Sequence, residues 1–268
     1  GCREFAQSPQ ALEFSDFIRV YFSTRSIDLG GKTFRSHIAF ADMEKDFSAV
    51  RHVSPHVVLP LGELGAFDEH GIFPINVIRN KGQVWGYTCG WNRRQSVSVD
   101  TAIGLVVSDD GGETFRRLGP GPILGPSLRE PFLVGDAFVI QAEGGFHMWY
   151  MFGQRGVREH DGAAPDRIYK IGHATSANGM DWIKEDGIQV LPDRLGNDEC
   201  QALPSVLAFG GRYHMVFCYR EVHGFRTDPS KSYRIGYAHS ADLSVWTRDD
   251  AALRLQVRDG EWDSEIQC

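Results

Sequence analysis

Four stretches of the chain put carboxylates where they could act together: Phe67-Asp68-Glu69-His70-Gly71, Leu128-Arg129-Glu130-Pro131, Asn197-Asp198-Glu199-Cys200-Gln201 and Trp262-Asp263-Ser264-Glu265. Glu69 stands before Pro74 as Glu199 stands before Pro204, and Glu265 precedes Cys268 as Glu199 precedes Ala202. If these stretches are equivalent, several carboxylates ring one axis. Hydrolysis of a glycosidic bond needs such a set: one carboxylic acid keeps its proton for the leaving oxygen while another carboxylate activates water or attacks. Crowding of like charges raises the pKa of one of them. Taken singly, an acid at the start of a strand has a plainer use as a turn or capping residue.

Other residues offer a surface for a sugar. Trp91, Asn92 and Arg93 follow an aromatic segment, and Arg25, Gln154 and Arg220-Glu221 fall at similar places elsewhere. A Trp face stacks on a pyranose, and Arg or Asn hydrogen-bonds hydroxyls or a carboxylate. The plainer alternative is a Trp packed between structural units and arginines paired with nearby acids. His70, directly after Asp68-Glu69, is placed to orient a carboxylate or touch substrate. His147 and His214 occupy matching positions in two aromatic segments and read as a structural repeat.

The elements that must position these residues come in copies. Ile38, Ile103, Ile171 and Ile235 each open a similar phrase, such as Ile103-Gly104-Leu105-Val106-Val107-Ser108-Asp109-Asp110-Gly111, at a period of roughly 65 residues, which marks a propeller rather than a helical solenoid. Each copy begins with an apolar strand (Pro74–Ile78, Asp136–Ile140, Pro204–Phe209) and a Gly-containing turn. An aromatic strand, the Ile-Gly strand and a fourth strand through Phe115-Arg116-Arg117, Trp182-Ile183-Lys184 or Trp246-Thr247-Arg248 complete it. The expectation is a single all-β domain over 1–268, a five-bladed β-propeller with blades near 6–58, 66–119, 128–190 and 197–250 and a partial fifth at 259–268, as in a terminally truncated chain.

Composition sets outer limits. A net charge of -7 over 268 residues argues against a nucleic-acid partner. No apolar run approaches the roughly 18 residues of a membrane span, and no signal-peptide pattern opens the chain, which weakly favours the cytoplasm. Cys2, Cys89, Cys200, Cys218 and Cys268 form no CxxC pair, so buried free thiols are expected and no metal site. No phosphate-loop or dinucleotide motif is present, and no cofactor is expected. Ser108-Asp109-Asp110-Gly111-Gly112-Glu113-Thr114-Phe115 matches the Asp-box pattern, a structural turn. Oligomeric state is not legible.

The blade pattern, Ser176-Ala177-Asn178-Gly179-Met180-Asp181-Trp182, Arg129-Glu130-Pro131 and Glu199-Cys200 together resemble the five-bladed propeller glycosidases of glycoside hydrolase families 43 and 32. The resemblance implies a carbohydrate substrate, Glu199 as general acid, and Glu130 where those enzymes carry a transition-state-stabilising Asp. Their first-blade Asp beside a proline is replaced here by Ser8-Pro9, and Gln201-Ala202-Leu203 separates Glu199-Cys200 from its proline. The base is therefore sought in Asp68 or Glu69, with Asp136 as a third acid because it opens an apolar strand where other copies have Pro74 or Pro204. A buried Asp there must find partners or shift its pKa. Alternatives to a glycosidase are a carbohydrate phosphorylase or transferase, with Arg25, Arg93, Arg94 and Arg220 holding the anion, and a non-catalytic glycan-binding propeller.

Overall fold

The computed structural model describes residues 4–28, 33–142, 144–255 and 260. Glu265 and the rest of the expected fifth opening lie outside the described residues. Among the described residues sixteen strands are arranged as four repeats. The first holds β1 (Glu4–Glu13), β2 (Ile18–Ile27), β3 (Phe34–Met43) and β4 (Val50–Val53); the second β5 (Gly71–Asn80), β6 (Gln83–Arg93), β7 (Val99–Ser108) and β8 (Arg116–Arg117). The third holds β9 (Val134–Ala142), β10 (Gly145–Val157), β11 (Asp166–Ser176) and β12 (Ile183–Lys184); the fourth β13 (Cys200–Phe209), β14 (Arg212–Arg220), β15 (Arg234–Ser240) and β16 (Thr247–Arg248). Strands run in sequence order across each repeat. One parallel bridge, Ser36 to Gly71, joins the first two repeats into a single eight-stranded sheet, whereas the third and fourth repeats are separate four-stranded sheets.

Side-chain alternation explains the layering. In β3 every second residue from Ser36 to Asp42 is buried, the period-two signature of a strand with one covered face, whereas β6 and β7 are buried almost continuously. The chain divides into two compact units, one of Gly1–Gln95, Val99–Gly125 and Gly135–Val139, the other of Ser96–Ser98, Pro126–Val134 and Ile140–Cys268. The core of the first includes Tyr21, Phe40, Ile72, Ile75 and Phe115. Leu133, Met151, Ile168, Tyr169 and Cys200 cluster in the second. Among the described residues no helix is long and apolar enough to cross a membrane.

The Ser-Asp-Gly phrases are hydrogen-bonded turns. Asp110 accepts from the backbone N–H groups of Glu113 and Thr114 and from the hydroxyls of Ser108 and Thr114. Asn178 does the same work in the third repeat, accepting from the N–H groups of Met180 and Asp181, and Asp242 accepts from those of Ser244 and Val245. Partial burial pushes the Asp110 carboxyl up, but the bonds from Ser108, Thr114 and Glu113 outweigh it and bring the pKa down to about 2. The depressed value means that the stabilisation is complete above the ordinary value of 3.8 and is lost as pH falls towards about 2. Asp110→Asn, copying Asn178, should keep the turn and flatten that acid dependence, measured as urea midpoints from pH 5 to pH 2.

Three of the first strands are deformed near their start. In β1, β5 and β13 the ladder slips between Gln7 and Gln10, Ile72 and Ile75, and Ala202 and Ser205, so that Ser8-Pro9, Phe73-Pro74 and Leu203-Pro204 bulge. Ser8, Asp136 and Leu203 adopt left-handed φ of 52°, 50° and 50°, and the Phe73-Pro74 peptide is cis. Asp136 thus matches the residue before the proline, one position earlier than the sequence comparison with Pro74 and Pro204 places it. Among these four positions only 136 carries an ionisable side chain.

Two thiols follow expectation and one does not. Cys89 and Cys200 are buried and free, whereas Cys218 is disulfide-bonded. Pairing depends on proximity in the folded chain, which the wide spacing of the cysteines does not disclose.

Candidate active site

Three of the loop carboxylates, Asp68, Glu130 and Glu199, are each clasped by a base of their own repeat. Asp68, immediately before β5, is paired with Arg117 on β8, whose Nε lies 3.0 Å from Oδ2. Glu130, before β9, accepts from Lys184 Nζ on β12 at 2.5 Å, from the Tyr150 hydroxyl at 2.8 Å and from Gly187 N at 3.0 Å. Glu199, before β13, accepts from Arg248 Nη1 on β16 at 2.5 Å, Gln201 Nε2 at 2.9 Å, Arg194 N at 2.8 Å and Leu195 N at 2.9 Å. Asp68 is 1% exposed, and Glu130 and Glu199 are 0% exposed.

A buried charge is tolerated only with a partner and filled hydrogen-bonding positions, and Glu130 and Glu199 have both. Every carboxylate oxygen of the two accepts a hydrogen bond from the protein. The structural counterpart of Glu199 is Asp68 rather than Glu69, because the loops differ in length before the bulge (68 to 73, 130 to 136, 199 to 203). Glu69 instead turns to its own loop and accepts from Gly65 N at 2.9 Å. The basic partners did have a sequence signal. Arg117, Lys184 and Arg248 each stand two residues after an aromatic in the fourth strand.

Asp136 has a different setting. It is 8% exposed and lies against the buried thiol of Cys89, which burial first and Asp136 second push up from its usual range. A left-handed φ on a residue other than Gly is sparsely populated and occurs disproportionately at functional sites, yet here it recurs in Ser8 and Leu203, so the backbone form belongs to the repeat and only the carboxylate is particular to Asp136.

At the entry end of β5 the chain collects aromatic and cationic groups. His70 stacks on Trp91 with 6.0 Å between centroids, and the Arg93 guanidinium lies 5.7 Å from the indole. Arg93 also pairs with Asp28 at 2.9 Å and donates to the Phe34 carbonyl at 2.7 Å, and Arg35 shares Asp28 at 3.0 Å. Arg94 is paired with Asp100. Burial, and then Arg93, lower the His70 pKa from its ordinary value, so the imidazole is neutral at pH 7; its Nδ1 is buried with no hydrogen-bond partner. The indole packs flat on Gly71, where an added Cβ would fall 2.1 Å from Trp91 Nε1. Gly71→Ala should therefore displace Trp91, read as a shift in tryptophan emission with little loss of stability if the indole swings outward; an unchanged spectrum would refute that packing.

Asn92, between Trp91 and Arg93 at the end of β6, is half-buried. Arg220 belongs to another setting. It is 2% exposed, donates Nε to the Tyr169 hydroxyl and Nη1 to the carbonyls of Glu221 and Val222, stacks on Phe225 at 3.6 Å, and faces Asp166 at 3.5 Å. Its donors are committed to the protein, Arg93 and Arg94 have carboxylate partners, and the Arg25 guanidinium lies 5.0 Å from the Phe5 ring. Among the described residues no group of three or more His, Cys, Asp or Glu side chains could hold a metal ion.

No protein-family model matches the chain. Two uncharacterized proteins of Mycobacterium tuberculosis, from strains CDC 1551 / Oshkosh and ATCC 25618 / H37Rv, are each 29% identical over 261 residues, covering 96% of this chain and 80% of theirs. Among solved structures, BT0996 in complex with RGII superposes with a TM-score of 0.71 at 16% identity, over 98% of this chain and 80% of that one. The fold is that of glycoside hydrolases. A thermostable family-43 glycoside hydrolase gives 0.64 at 16% identity, over 96% of this chain and 75% of its own. The Bombyx mori GH32 beta-fructofuranosidase BmSUC1 gives 0.62 at 11% identity, over 92% of this chain and 49% of its own. These similarities match the all-β class read from the repeats and extend over nearly the whole chain.

Proposed function

We propose that the four repeats are blades of a glycosidase-type propeller and that the protein hydrolyses a glycosidic bond, with Asp136 and Glu69 as the acid/base pair. The observation that supports this reading is Asp136, a carboxylate at the left-handed position of the third repeat, where Ser8 and Leu203 take the same φ in the first and fourth. Asp136 and Glu69 also differ in environment, one buried beside Cys89 and the other half-exposed on the loop beside His70 and Trp91. Unlike environments let two carboxylates divide the labour, one delivering a proton to the leaving oxygen and the other activating water or attacking the sugar carbon. Asp68, Glu130 and Glu199 are assigned to holding the entry loops.

The test is release of reducing sugar from a panel of oligosaccharides and aryl glycosides. Glu69→Gln is expected to cost about two orders of magnitude in kcat with KM little changed. Unaltered kcat would remove Glu69 from the pair. Saturable sugar binding without turnover in the unsubstituted protein would refute hydrolysis and leave a glycan-binding propeller.

A further inference from the structure

We propose that Asn178 is a site of covalent modification, deamidation to aspartate and isoaspartate, and that the turn between β11 and β12 suppresses the reaction for as long as it stays closed. Of Asn76, Asn80, Asn92, Asn178 and Asn197, only Asn178 is followed by glycine. A glycine has no Cβ to hinder the approach of its own nitrogen to the preceding side chain. Asn178 is exposed, so water reaches its carboxamide. The step balances with water as its one co-reactant. The Gly179 backbone nitrogen attacks Asn178 Cγ and gives up its proton; the Cγ–Nδ2 bond breaks, and ammonia leaves with that proton. Water then opens the five-membered imide at either carbonyl, which yields aspartate or isoaspartate.

The closed turn withholds the groups that the first step needs. Gly179 N–H donates to Ser176 Oγ at 2.8 Å, which directs the attacking nitrogen away from Cγ. Asn178 Oδ1 accepts from the N–H groups of Met180 and Asp181 at 2.9 Å each and from the Ser176 hydroxyl at 3.1 Å, and Nδ2 donates to Asp181 Oδ2 at 2.8 Å. Cyclisation has to swing the carboxamide until Cγ faces Gly179 N, which breaks these bonds, so the reaction proceeds from the locally opened turn. The products differ in what they leave behind. Aspartate at 178 copies Asp110 and Asp242, which hold the matching turns by bonds from N–H groups of the same kind. Isoaspartate routes the main chain through Cγ, lengthens it by one carbon and removes the side-chain acceptor from the turn. Ile183 and Lys184 follow, paired with Thr175 and Ala174, and Lys184 is the base that clasps Glu130. A change at an exposed turn thereby reaches a buried ion pair.

Peptide mapping by mass spectrometry of the full chain, held at neutral pH either folded or in urea, tests the proposal. Conversion at Asn178 should be about tenfold or more slower in the folded protein than in urea, because only the opened turn reacts. Ser176→Ala releases the Gly179 N–H and one bond to Oδ1, and should raise the folded-state rate several-fold while leaving the rate in urea unchanged. Asp181→Ala, at an exposed position with no core to disturb, should do the same by releasing Nδ2. When chains aged in urea are refolded, those with aspartate at 178 should recover the unfolding midpoint of the starting protein, and those with isoaspartate should show a lower one.

Absence of conversion at Asn178 in urea would remove the site. Equal rates in the folded and unfolded chain, or folded-state rates unchanged in both Ser176→Ala and Asp181→Ala, would overturn suppression by the turn. Equal midpoints for the two products would overturn the coupling to Lys184 and Glu130.

Discussion

Replacing Arg248 by methionine is expected to lower the unfolding free energy by about 3–5 kcal/mol, because it strips a buried carboxylate of its counter-charge. Glu199 has no surface through which water could compensate, and the remaining donors, Arg194 N, Leu195 N and Gln201 Nε2, are neutral. Arg248 also pairs with Asp250 at 3.0 Å and packs over Phe217 and Tyr219 at 5.0 and 4.5 Å, contacts that methionine keeps only as apolar area. Glu199→Gln should be milder, about 1–2 kcal/mol, since the amide oxygen still accepts from the Arg194 and Leu195 N–H groups while its NH2 faces other donors. Combining Arg248→Met with Glu199→Gln should recover part of the Arg248→Met loss. Urea denaturation of the three variants gives the comparison, and a loss below about 1 kcal/mol for Arg248→Met would show that the clasp contributes little.

Asp136→Asn should reduce turnover by about two orders of magnitude or more while leaving the fold intact. Asparagine is the informative replacement because it tolerates the left-handed backbone that position 136 requires, whereas alanine would add about 1–2 kcal/mol of backbone strain. Thermal unfolding should therefore distinguish Asp136→Asn from Asp136→Ala, and activity should not. Glu199→Gln provides the complementary case: lower stability, but unchanged kcat per folded molecule. A fully active Asp136→Asn would exclude the residue from the chemistry, and an inactive but stable Glu199→Gln would return the catalytic role to Glu199.

Local physics was legible in the sequence, and through-space pairing was not. The strands announced themselves by apolar runs and alternation, and the Ser-Asp-Gly turns by side chains that bond N–H groups within four residues. The clasps join groups 49, 54 and 49 positions apart, and no short motif states which base meets which acid. The family resemblance drew attention to Glu130 and Glu199, but the two carboxylates turn towards Lys184 and Arg248. Counting back from a proline aligned Glu69 with Glu199 and missed the one-residue difference in loop length that puts Asp68 there. The sequence sets His70 beside Asp68-Glu69 and Trp91 and Arg93 at a strand end, and gives no sign that His70 stacks on Trp91. That Arg35 and Arg93 share Asp28 while Arg94 takes Asp100 is visible only in the structure.

The ion pairs Asp68–Arg117, Glu130–Lys184 and Glu199–Arg248 each join the first and last elements of one repeat, so each buckles a complete four-stranded segment. Such a segment is a natural unit of gene duplication, because copying it carries both halves of its buckle. The same geometry marks where the backbone can be opened. Circular permutants with new termini at 119–125, between buckles, should assemble, whereas termini at 160–165 would leave the Glu130–Lys184 buckle to be formed between opposite ends of the chain.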